Sequence, residues 1–154
     1  MAFFDDDTFM DQEIAETIDD VTTPLATDVP YPGAVIDEVK KRTTPRAGAH
    51  LLEITWVVPI PEGQQKDWGR DTGKFKQTVW LDVSEEGVLL SGPNQNLDLG
   101  RLRTAVGQNV PGQPWTPRML VGSAATVYLK ERPVKDDEGN VVERYMEVRR
   151  AIAS

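Results

Sequence analysis

Phe75–Val83, FKQTVWLDV, and the stretch that follows it, Asn94–Val106, NQNLDLGRLRTAV, decide the fold. In the first, Phe75, Gln77, Val79, Leu81 and Val83 fall on one side and Lys76, Thr78, Trp80 and Asp82 on the other. That alternation is the period of a strand with one face turned to a core. In the second, Leu99, Leu102 and Val106 recur at spacings of three and four residues, and Gly107 follows as a stop. The spacing predicts one helix over 94–106, weakened in its interior by Gly100.

Working outward, His50–Val58 (HLLEITWVV) alternates clearly, with Leu52, Ile54, Trp56 and Val58 on one face, and Ala34–Lys41 alternates weakly. Both read as strands. Arg42–Ala49 between them is a loop by composition, and Pro59–Gly73 reads as a long mobile connection. Downstream, Ala125, Val127 and Leu129 alternate with Thr126, Tyr128 and Lys130, and the turn DDEGN (Asp136–Asn140) separates this strand from Val141–Ile152. The order is three strands, one helix, two strands, that of a five-stranded OB-type barrel (β-β-β-α-β-β), all-β with one helix. Closure removes exposed edges, and the apolar face of the helix plugs one barrel end. A ferredoxin-like fold needs a helix after the first strand, where Arg42–Ala49 leaves no room. A sandwich needs more strands.

Composition divides the chain. Its net charge of -8 is carried by residues 1–29, which hold nine acids and no Lys or Arg, while residues 30–154 hold 17 basic and 16 acidic residues. Residues 1–29 are predicted to be a flexible acidic arm and 30–154 the barrel domain. Ile14, Ile18 and Val21 recur at helical spacing after Asp11, which predicts a short helix within the arm. With no cysteine, disulfides and thiolate metal sites are excluded. No apolar run approaches the roughly 20 residues of a membrane helix, so no membrane partner and a cytoplasmic location are expected. The lone histidine, His50, has no HxxxH, HExxH or CxxC partner, and there is no P-loop or GxSxG. The chain is expected to be no enzyme and to need no metal or cofactor.

The motifs YPGAVIDEVKKR, HLLEITWVV, TVWLDV, LGRLRTAVG and LVGSAATVYLKE, spanning about Tyr31 to Ala153, together resemble the phage-encoded OB-fold single-stranded DNA-binding proteins. The resemblance implies sequence-nonspecific single-stranded DNA binding in phage replication or recombination, in the host cytoplasm. Members of such families commonly end in an acidic, aromatic-tipped tail. Here the equivalent segment, MAFFDDDTF, is N-terminal, and the chain ends in VRRAIAS.

Non-specific binding of a single strand requires cations for phosphates and flat aromatic faces for bases, and OB folds place these across strands two and three and on the flanking loops. Lys40, Lys41, Arg42 and Arg46 supply the first flank and Lys130, Arg132 and Lys135 the second. Trp80, on the polar face with Lys76 and Thr78, is the leading stacking residue unless the arm or a loop covers it. Trp56 shares its face with core residues and reads as packing. Tyr128 and Tyr145, near Lys130 and Arg149, either extend the platform or form ordinary cross-strand pairs. Trp68, in KDWGRDTGK with Lys66, Arg70 and Lys74, reads as an exposed aromatic among cations, on a flap able to close over a strand. Trp115, between two prolines, reads as packing against the barrel end. Phe3, Phe4, Asp5, Asp6, Asp7 and Phe9 are the candidates for recruiting replication or recombination proteins, or for occupying the groove in place of DNA. Homo-oligomerisation stays open. Two other classes compete: a phage structural or adaptor protein using the barrel as a scaffold, and a carbohydrate- or peptide-binding module.

Overall fold

The computed structural model describes residues 7–18, 24–45 and 48–154, the side chain of Arg144 excepted. Five long strands are present: β1 (Tyr31–Thr43), β2 (His50–Pro59), β3 (Thr72–Leu81), β4 (Ala124–Lys135) and β5 (Val141–Ile152). They form a closed ring in the order β1-β2-β3-β5-β4. Neighbours are antiparallel except β3 and β5, which run parallel and meet at Lys76↔Glu147. That single point of closure matters for the site, because beyond it the two strands are not paired.

The alternation in β2 and β3 resolves as expected. Leu52, Ile54, Trp56 and Val58 of β2 face the core with Phe75 and Val79 of β3, joined from the other strands by Ile36, Val127, Leu129 and Val148. Trp56 is wholly buried, and its indole N–H donates to Gln77 Oε1 at 2.9 Å, so burial leaves no polar atom unpaired. The helix between β3 and β4 (Leu97–Ala105) puts Leu99, Leu102 and Ala105 into the same core. It starts three residues later than the spacing predicts. Asn94 and Asn96 sit at φ 62° and 52°, in the left-handed region that ends helical geometry. Asn96 there acts as a hub: its Oδ1 accepts from Asp82 N–H at 2.7 Å, and its Nδ2 donates to the carbonyls of Asp82 and Leu90 at 2.9 and 2.7 Å. Trp115 packs against the core as expected, with Arg103 stacked 4.3 Å from its ring centroid.

Two expectations fail. Pro59–Gly73 is not a featureless connection: Glu62–Trp68 forms a helix, α1, so the longer helix above is α2. Pro61 precedes α1 and Gly69, at φ 76°, closes it, the arrangement that favours proline at a helix start and glycine past its end. At seven residues α1 is too short to show a hydrophobic period. The predicted helix after Asp11 is also absent. Asp7–Asp11 is a turn of 3-10 helix, residues 12–18 are not helical, and Ile14 and Ile18 are exposed; Val21 lies outside the described residues. A short helix whose apolar stripe finds nothing to pack on is marginal in water.

The arm also joins the barrel earlier than residue 30. Leu25 is buried in the core cluster, and Ala26 N–H donates to Gln64 Oε1 of α1 at 2.8 Å. The Tyr31 hydroxyl donates to Ala26 O at 2.6 Å and accepts from Gln64 Nε2 at 3.1 Å. The chain is therefore pinned against α1 from Leu25 onward.

Candidate nucleic-acid interface

Strand register aligns side chains into rows across the outer face. Arg42 pairs with Leu51, which pairs with Trp80; Lys40 pairs with Glu53, which pairs with Thr78. A third row runs Glu38, Thr55, Lys76, Glu147 and Lys130 through four junctions around the ring. Trp80 is 50% exposed on this face, as its polar neighbours predict. Leu51 is buried yet stands outside the core cluster, so the Arg42–Leu51–Trp80 row makes a small apolar-aromatic platform on the barrel's exterior.

Beside Trp80 the barrel opens. Past Lys76↔Glu147, β3 and β5 diverge and α2 lies across the gap, leaving an open groove of about 1500 Å³. Its walls are Thr78 and Trp80 on one side and the end of β5 on the other, with Leu97 and Arg101 of α2 along it. Five cations line it (Arg101, Lys130, Arg132, Arg149, Arg150) against three carboxylates (Asp98, Glu131, Glu147). Sites for compact ligands occupy roughly 300–1,000 Å³. A larger, open, net-positive trough suits a polymer lying along it.

Of the expected cations, Lys40, Arg42, Lys76, Lys130 and Arg132 stand on the strands around Trp80, and these five, with the more distant Lys74, are held in ion pairs. Arg42 Nη1 lies 2.6 Å and Lys76 Nζ 3.0 Å from the two oxygens of Glu53. Lys130 and Arg132 approach the two oxygens of Glu147 at 3.4 and 3.1 Å. Lys40 pairs with Glu38 at 3.3 Å and Lys74 with Asp37 at 3.4 Å. The Arg42 guanidinium, followed by the Lys76 ammonium, holds the Glu53 carboxyl below the ordinary carboxylate range. Lys41 and Arg149 form no ion pair among the described residues. Arg46, Phe3, Phe4, Asp5 and Asp6 lie outside those residues, while Asp7 and Phe9 sit on the exposed 3-10 turn.

The aromatic platform is smaller than expected. Trp68 is not an exposed flap residue: it lies on α1, packs against the core and tilts onto Phe75 at a centroid distance of 5.9 Å. The Pro, Gly and charged residues of Pro59–Gly73 suggest a mobile flap, whereas α1 turns the indole inward beside Leu25. Arg70 and Lys74 are exposed but lie at the far end of β3: Lys74 is about 20 Å along the strand from Trp80 at ~3.3 Å per residue, and Arg70 precedes the first residue of the strand. Tyr128 faces its cross-strand partner Arg150, whose guanidinium covers the ring at 4.6 Å with Arg149 at 5.9 Å, so of its two expected roles it takes the cross-strand pair. Tyr145, 55% exposed and paired with Arg132, keeps an open ring.

Glu53, Glu147 and the groove residues Leu97, Arg101 and Arg150 were not legible as site residues. Glu53 stands on the polar side of HLLEITWVV, where an acid reads as solvation, and its two partners come from strands on either side. His50 shares a 3.0 Å contact with Thr43 Oγ1 at the β1–β2 junction. No protein-family model matches the chain, and no curated protein does.

Proposed function

We propose that this is an OB-type barrel that binds single-stranded nucleic acid without sequence preference, over the outer face of β2 and β3 and into the groove beside Trp80. The OB reading is supported by the strand order, by the helix between the third and fourth strands, and by the parallel meeting of β3 and β5. The observation that carries the binding reading is a half-exposed tryptophan at the edge of an open groove lined with five cations. Aromatic stacking with backbone cations is how such strands are held without reading their sequence. The resemblance of the sequence motifs to phage single-stranded DNA-binding proteins is what favours DNA as the strand and phage replication or recombination as the setting. Binding, rather than a reaction, is the proposed role.

Titration of a fluorescently labelled oligonucleotide tests it. Trp80→Ala should weaken binding by roughly 5- to 150-fold, the equivalent of a stacking contribution of about 1–3 kcal/mol. Undiminished binding by this variant removes Trp80 from the site. The scaffold or adaptor reading draws on one observation, the internal pairing of six of the expected cations. A fixed-stoichiometry assembly indifferent to nucleic acid would favour it.

A further inference from the structure

Four cations of this face are paired two at a time, by carboxylates that lie beneath them. Glu53 is only 13% exposed and Glu147 25%, while Arg42, Lys76, Lys130 and Arg132 are each more than half exposed. Each carboxylate gives one oxygen to each of two cations: Glu53 to Arg42 of β1 and Lys76 of β3, Glu147 to Lys130 and Arg132, both of β4. A phosphate presents oxygens of the same charge and similar spacing. A ligand approaching from solvent meets the cations first, with the carboxylates behind them.

We propose that Glu53 and Glu147 are built-in phosphate surrogates: each occupies a pair of phosphate-binding cations in the free protein and competes with the backbone of the incoming strand for them. This rests on the reading of the face as a strand-binding site and adds what sets its affinity. Ion pairs whose cations are solvent-exposed are weak, so the exchange is readily reversible. A cation already neutralised by the protein carries less of a phosphate's charge. Binding therefore weakens less steeply with salt than the number of cations on the face implies. The two clasps lie on opposite sides of β3, Glu53 on β2 and Glu147 on β5, so a strand crossing the face meets both.

The test is a labelled single-stranded oligonucleotide titrated from 50 mM to 1 M salt against the full chain, Glu53→Gln and Glu147→Gln. Glu62→Gln is the control, an equal charge change on exposed α1 at the opposite end of β3. Glu53→Gln frees one net positive charge, so its log–log salt slope should steepen by about 0.7, which corresponds to roughly eightfold tighter binding at 50 mM if the curves meet at 1 M. Glu147→Gln should behave alike, and Glu62→Gln should follow the wild type. Binding by Glu53→Gln where the wild type binds nothing would also support the proposal. Equal gains in all three variants would overturn it, since net charge alone would then be acting. So would weaker binding by Glu53→Gln, which would make the carboxylate a positioning group. Wild-type binding with no change in either variant overturns the surrogate role and leaves the site standing. No binding by any form overturns both.

Discussion

Cutting the arm at two places should have very different consequences. Removal of residues 1–23 takes away eight acids and leaves Leu25 in place, whereas removal of 1–29 also takes away the buried Leu25 and the Ala26 groups that bond Gln64 and Tyr31. Burial of a leucine side chain contributes about 2–3 kcal/mol. The two hydrogen bonds contribute roughly 1 kcal/mol each, and the buried Tyr31 hydroxyl is left with only the longer 3.4 Å contact to Gln64 Oε1 as an acceptor. The longer cut should therefore cost about 4 kcal/mol. In a chain of this size each kcal/mol moves the midpoint by about 2–4 °C, so Tm should fall by roughly 8–16 °C. The shorter cut should leave Tm within about 2 °C. Thermal denaturation followed by circular dichroism reads both. Equal midpoints for the two truncations would refute the anchoring of the arm at Leu25, and Leu25→Ala should reproduce most of the loss within the full chain.

Asn96→Ala should lose about 3 kcal/mol or more, because it strands the Asp82 amide and two carbonyls; Asn96→Gly, which relieves the backbone at φ 52°, should recover only a small part in chemical denaturation. Burial, opposed by the Gln64 hydrogen bond, raises the Tyr31 pKa, so its contribution is complete below the unfolded value of about 10 and is lost as pH rises through the raised folded value. Glu53 is the reverse case: its contribution is complete above the unfolded value of about 4.3 and is lost as pH falls through its depressed value. Stability against pH should lose its alkaline fall in Tyr31→Phe and part of its acid fall in Glu53→Gln. Residues 1–23 span up to about 75 Å when extended, against about 27 Å from the start of β3 to Trp80, so the arm is long enough to reach the groove from its anchor. If it occludes the groove, deleting 1–23 tightens oligonucleotide binding at low salt and the gain fades as salt rises; if it only recruits partners, affinity is unchanged.

Strands were legible because β2 and β3 each bury one face, so that Leu52, Ile54 and Trp56, or Phe75 and Val79, repeat at every second position. α2 was legible from Leu99 and Leu102, but its first turn was not, since the left-handed Asn96 is set by contacts with Asp82 and Leu90 from the preceding loop. α1 gave no period, and Trp68 was misplaced with it. In the site, Trp80 could be read from its strand partners alone. The clasp at Glu53 could not: it joins Arg42 and Lys76 across 11 and 23 residues of sequence, and only the register brings them to one carboxylate.

The most direct test of the binding reading compares one labelled oligonucleotide, single-stranded and as a duplex, against the full chain between 50 and 500 mM salt. The account predicts saturable binding to the single strand that weakens with salt and markedly poorer binding to the duplex, whose bases are not free to stack on Trp80. Equal affinity for the two forms, or no binding to the single strand at 50 mM salt, would contradict it.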